Sequence, residues 1–262
     1  MKTLLFEIGV EEIPARFIEP AKEGLGKLLQ ESLSASRIPF RDVETFATPR
    51  RLTAFVSGLS EKQDETVIIK FGPPYNRAYD EAGNPTKAAS GFAKSQGIEI
   101  GELKKGQKDG VDFIIFERIE KGEPTTIILP GLLRDVIGKI PFQKKMRWGT
   151  ESFEFARPIQ WLLALYENEP INVSIADVGS SNVTNGHRFL SKGPIQISNP
   201  SEYIDALRSN SVILDEAERM SIIERGIAKI EKDVQGKALR DEDLINEILY
   251  ITEFPYPLCG TF

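Results

Sequence analysis

A short apolar run at residues 3–8 is followed directly by seven apolar side chains at helical spacing, and no other feature limits the fold as much. The run, TLLFEI, reads as a buried strand. Phe17, Ile18, Ala21, Leu25, Leu28, Leu29 and Leu33 then form one face of a helix that Pro14 is suited to open. A helix with one apolar stripe must lay it against another element, so the chain needs a sheet with helices packed on it. Glu7 interrupts the run after a single early lysine, which separates it from a signal peptide.

The rest of the chain repeats this mixture, and the class it describes is α+β. Residues 52–56, 67–71, 111–119, 171–178 and 195–198 read as strands, with 67–71 the neighbour of 52–56. Residues 159–166 are apolar enough to be buried as helix or strand. Ile128, Leu132, Val136 and Ile140 recur at helical spacing until Pro141 stops them. The most distinctive segment is 72–98. Its glycines, prolines and asparagines describe a long structured loop with a tight turn at 80–84, and Thr86 is placed to cap a short helix that Gly97 closes. It has neither a P-loop pattern nor a dinucleotide fingerprint. After Pro200 the chain turns helical. Asn199 with Glu202 and Asp215 with Glu218 have capping-box spacing, and another helix begins near Asp241. Residues 1–200 thus read as a mixed module, and 201–262 as a helical segment of the same module or the lead-in to a next domain. The apolar ending FPYPLCGTF reads as a cut through a longer polypeptide.

Several classes fall away on composition. One cysteine and one histidine rule out an intrachain disulfide and a Cys/His zinc site, and fit a reducing cytoplasm. No stretch approaches the roughly 18 apolar residues that cross a bilayer, so no membrane partner is expected. The formal charge of -6 sits wholly in the last 62 residues, since residues 1–200 hold 26 basic and 26 acidic side chains. A nucleic acid is therefore expected to meet the earlier part.

Within that part, residues 139–147 carry four basic side chains and no acidic one, and Trp148, Arg157 and Trp161 follow. Lys144, Lys145, Arg147, Trp148 and Arg157 suit a phosphate backbone and an unstacked base. The stretch equally suits a solvated turn beside a core tryptophan. Arg50 and Arg51 stand at a strand entrance behind Pro49, where their guanidinium forks fit phosphate or neighbouring carboxylates. His187 and Arg188 in GHRFL fit RNA contact, or a structural histidine at a loop-to-strand junction, with Gly186 allowing an unusual backbone angle. Glu11 and Glu12 are a candidate carboxylate pair or acids of a first helical turn.

GVEEIPARFI (9–18), TPRRL (48–52), the 72–98 segment, MRWG (146–149), FARPIQWLLAL (155–165) and GHRFL (186–190) occur in an order that resembles the N-terminal part of the bacterial glycyl-tRNA synthetase β subunit, of the heterotetrameric α2β2 kind. The resemblance implies a module like the B3/B4 domain of the phenylalanyl-tRNA synthetase β subunit, and a role in glycine–tRNA ligation. In that family glycine and ATP, with magnesium, are bound by a separate α subunit, and β contributes tRNA binding and assembly. It implies tRNA(Gly) and the α subunit as partners and no cofactor or catalytic residue in this stretch, and the nine cationic and aromatic residues above are then the candidate tRNA contacts.

Three readings follow: an RNA- and partner-binding part of a ligase, a scaffold for α without RNA contact, or a retained editing deacylase. Glycine is the smallest amino acid, so exclusion by size leaves editing with no smaller competitor to remove.

Overall fold

The computed structural model describes residues 2–148 and 152–260. It divides into two compact units, one of residues 1–63 with 123–262 and one of residues 64–122. In the first, β1 (Lys2–Val10) leads into α1 (Ala15–Ala35), then β2 (Asp42–Thr48) and β3 (Arg51–Leu59). The expected strand and amphipathic helix are both present, and Phe17, Ile18, Ala21, Leu25, Leu29 and Leu33 are buried. Glu11 and Glu12 lie in the connection before α1, whose first turn holds no acid, so the helical-turn reading of that pair does not hold.

The second unit contains β4 (Thr66–Pro74), α2 (Tyr75–Ala78), α3 (Lys87–Gln96), β5 (Lys104–Lys108) and β6 (Val111–Glu120). The signals in its loop act as expected. The Asp80 carboxylate accepts the N–H groups of Ala82 and Asn84 at 3.0 and 2.7 Å. The Thr86 side chain accepts from Ala88 N–H, and Gly97 ends α3 in the left-handed region at φ 70°. Its sheet has the order β4-β6-β5, which corrects the pairing expected for residues 67–71. Both edges of β3 are already taken, by β1 and by β2, and β4 pairs with β6 instead. β2 was not legible because its exposed edge position lets it stay polar (DVETFAT).

The chain then returns to the first unit with α4 (Thr125–Lys139) and β7 (Ile159–Tyr166). Short strands follow: β8 (Glu169–Pro170), β9 (Ser174–Ile175), β10 (Val178–Ser181), β11 (Val183–Asn185) and β12 (Pro194–Gln196). The single strand expected over 171–178 is broken, because Ala176 takes φ +52° and the chain reverses to pair Val178 with Ile175. Last come α5 (Tyr203–Ser209), α6 (Glu216–Asp233) and α7 (Glu242–Ile251). Asn199 and Glu202 form the expected capping box, and Asp215 and Asp241 cap α6 and α7. Residues from 201 onward share the first unit's core: Ile223, Leu249 and Tyr250 belong to the same buried cluster as α1.

The large sheet has the order β2-β3-β1-β7-β10-β9, with β8 beside β7. It is mixed, because β10 runs parallel to β7 and the other pairs are antiparallel. β1 is buried on both faces, which explains its continuous apolar run. Leu4, Phe6, Ile8 and Val10 meet α1 and α4 on one side. Leu5 meets Leu163, Leu165, Tyr203 and Leu207 on the other. Glu7 falls on this second face by the two-residue alternation of a strand, and it has to be neutralised there.

Candidate functional site

Three loops and a hairpin meet at the end of the large sheet where β1 leaves and β3 and β7 enter. Val10 N–H donates to the Arg50 carbonyl and Ile13 N–H to that of Pro49, both at 2.8 Å, while Glu11 N–H reaches Pro158 O at 3.1 Å. Opposite Gly9, Trp161 lies so close that a Cβ on residue 9 would fall 1.9 Å from its ring, so only glycine fits there. The arrangement brings together Arg50, Arg51, Trp161, Arg157, His187 and Arg188, which the sequence scatters over 139 positions.

Beneath the surface, Arg51 is fully buried between two carboxylates. Its Nη1 lies 3.2 Å from Glu7 Oε1, and its Nε and Nη2 each lie 3.1 Å from Glu253 Oε1. Thr184 Oγ1 donates to Glu7 at 2.9 Å and Thr48 Oγ1 to Glu253 at 2.6 Å, while Arg51 Nη1 also donates to the Asn185 carbonyl at 2.9 Å. Arg51 thus carries the carboxylate alternative, inside the protein, and its fork does not reach solvent. The two acids respond differently to one cation. Burial raises the Glu7 carboxyl above its ordinary value, and Arg51 only partly offsets this; Glu7 Oε2 is left buried without a hydrogen bond. Burial also acts on Glu253, but Arg51, Thr48 and Arg50 outweigh it and hold that carboxyl below its ordinary value. Burial works against the charge on Arg51, yet Glu253 and Glu7 together raise its pKa.

Above this cluster lies a shallow cleft of about 160 Å³, lined by Arg50, Asn185, His187, Arg188 and Ser191. Arg50 is half-buried with its Cζ 5.4 Å from the Trp161 ring centre, and burial lowers its pKa, as do the nearby Arg51 and Arg188. It has no ion pair among the described residues. Arg188 faces both Glu11 and Glu12, at 3.7 and 3.9 Å. His187 Nδ1 accepts the N–H groups of Phe189 and Leu190 at 3.3 Å each, which makes it a brace for its own loop. Gly186 is needed for space, not for an unusual angle: a Cβ there would come within 2.4 Å of Ser191 Oγ.

The basic stretch continues from this end. Arg157 Nε donates to the Glu12 carbonyl at 3.2 Å, and its Nη1 lies 3.8 Å from Met146 Sδ. Met146 bridges to Phe155, so the chain doubles back and sets Glu154 2.7 Å from Arg147. The reading of Arg147 as unopposed therefore fails, because its partner arrives seven positions later. Lys144 and Lys145 are exposed and make no ion pair among the described residues. Trp148 is half-buried, edge-on to Phe153 and packed on the core. Gly149, the last residue of MRWG, lies outside the described residues. Sequence reasoning missed Glu7, Thr184, Tyr203 and Glu253, although a carboxylate inside an apolar strand run was a legible sign of a buried partner.

The described residues contain no group of three or more His, Cys, Asp or Glu side chains that could hold a metal ion. No helix among them is long and apolar enough to cross a membrane. A family model described as glycyl-tRNA synthetase beta subunit matches residues 4–262. The chain belongs to that family. Among curated relatives, the glycine–tRNA ligase beta subunit of Syntrophus aciditrophicus is 42% identical over 259 residues, covering 99% of this chain and 38% of its own length. That of Moorella thermoacetica is 41% identical over 261 residues, covering 100% of this chain and 38% of its own. The chain thus spans a little over a third of the family members it matches.

Proposed function

We propose that this chain is a tRNA-binding and partner-binding portion of a glycine–tRNA ligase β subunit. In this role it supports ATP-dependent attachment of glycine to tRNA(Gly), with ATP and magnesium acting at a separate α subunit. Family membership supports the ligase half of the reading, and the mixed sheet with helices on its faces is compatible with kinship to the B3/B4 module. One observation carries the RNA half. Around one end of the large sheet, Arg50, Lys144, Lys145 and Arg157 have no ion pair among the described residues, in a chain where acids outnumber bases. Such cations can meet phosphates without first giving up a carboxylate, and each phosphate so neutralised releases counterions. Assembly is supported by a different surface: in the second unit Val67, Ile69, Phe71 and Ile119 leave one side of the small sheet apolar and open.

The test is tRNA(Gly) affinity of the full α2β2 enzyme carrying Lys144→Ala, Lys145→Ala and Arg157→Ala, at several salt concentrations. Binding should weaken across RNA sequences, and the log–log salt slope should fall by about one for every phosphate that is no longer neutralised. Unchanged affinity and slope with an intact fold would overturn the RNA half.

A further inference from the structure

A second depression, of about 420 Å³, lies between the first turn of α1 and the segment that follows α4. Arg16, Lys139 and Lys145 line it beside Phe17, Pro141 and Phe142, and no carboxylate is among its lining residues. None of the three cations has an ion pair among the described residues. Gathered around one hollow, the three concentrate positive potential where an anion would sit.

Its walls are held in place. Pro141 packs so tightly on α1 that a Cβ on Gly24 would lie 2.4 Å from Pro141 Cδ. Phe142 is partly exposed and is braced edge-on by Phe155, with ring centres 4.7 Å apart. Arg16 lies over the Phe17 ring at 5.1 Å. The hollow also joins the basic stretch already described, because Lys145 precedes Met146, which touches Arg157.

We propose that this hollow takes an unpaired nucleotide of the bound RNA, with its phosphate among Arg16, Lys139 and Lys145 and its base against Phe142 and Pro141. An acidic peptide would use the cations and leave the apolar wall idle, whereas a nucleotide carries both an anion and a planar apolar body. The proposal rests on the reading of this chain as tRNA-binding, and names two cations and a ring, Arg16, Lys139 and Phe142, that are not among the four residues on which that reading stands.

The experiment uses the full α2β2 enzyme and a tRNA(Gly) transcript, with the Lys144/Lys145/Arg157 triple variant as reference. Arg16→Ala with Lys139→Ala should weaken binding about ten-fold at about 150 mM salt and lower the log–log slope by about one, since both cations serve one phosphate. Phe142→Leu should weaken binding several-fold with the slope unchanged, since it removes a ring and no charge. A 4-thiouridine transcript should crosslink to the peptide spanning 139–145. If the reference variant weakens binding while the double and leucine variants do not, this proposal falls and the tRNA-binding reading stands. If none of the three has an effect, both fall. Loss of α-subunit association at unchanged tRNA affinity would make the occupant a protein, which also overturns it.

Discussion

The cations of this molecule fall into two regions that obey different rules. In the interior, Arg51 sits between Glu7 and Glu253, and Arg219 donates through Nη1 and Nη2 to the carbonyls of Ile213, Leu214 and Ala47 at 2.7–2.8 Å. Around the open end of the large sheet and the adjoining hollow, Arg16, Arg50, Lys139, Lys144, Lys145 and Arg157 have no carboxylate within ion-pair distance among the described residues. A buried guanidinium is tolerated only when fixed acceptors replace its lost hydration. A cation at the surface keeps its water and needs no partner, so it can be held ready for a ligand. Arg50 and Arg51 show how little sequence distance this takes: Arg50 sits in the turn before β3 at the rim, while Arg51, the first residue of β3, is sent inward. Equal sequence chemistry therefore says nothing about which role an arginine takes.

The sharpest way to break the comparison is to remove the interior cation. Arg51→Met leaves Glu7 and Glu253 buried without their counter-charge and should cost about 3–5 kcal/mol in denaturant unfolding. A loss below about 1 kcal/mol would mean that Arg51 is no more structural than a surface cation.

A smaller, pH-dependent effect should come from Glu253. Its carboxyl is held below the ordinary value, so its stabilisation is fully present above the unfolded pKa of about 4.3 and disappears as the pH falls through the lower folded value. The stability gap between the native chain and Glu253→Gln, followed by thermal unfolding from neutral to acid pH, should stay constant above that range and close below it. A gap that widens on acidification would contradict the assigned pairing. The smallest effect belongs to a pair that is well made but exposed. Arg208 meets Glu218 through two parallel hydrogen bonds of 2.6 and 2.5 Å at the surface, and Arg208→Ala should change stability by no more than about 1 kcal/mol. A larger loss would show that partner geometry matters more than burial.

Local features were the legible ones. Thr86, Asp215 and Asp241 cap the helices they precede, and Gly97 closes α3, because a cap depends on a few consecutive residues. The apolar face of α1 followed from spacing alone. The site was legible only in part. His187, Arg188, Arg50 and Arg157 do gather at one end of the sheet, but nothing in their spacing announced that Glu11 and Glu12 would face Arg188. Nor could the local charge count foresee Glu154 folding back onto Arg147.

What the sequence determined by itself was the capped helices, the apolar strands β1, β3, β4 and β6, the α+β class and the family, since periodicity, capping and motif order are properties of contiguous residues. Only the tertiary structure decided which strands are neighbours, and with that the function of each charge. Register placed Thr53 opposite Glu7 and Arg51 opposite Gly9, and the chain after α7 then brought Glu253 to Arg51 across 202 positions. The physical reason is that pairing is settled by competition. β3 has two edges, β1 and β2 occupy both, and a strand as apolar as β4 must find its partner elsewhere. Burial is likewise a property of what lies on top of a residue, which no stretch of sequence carries with it.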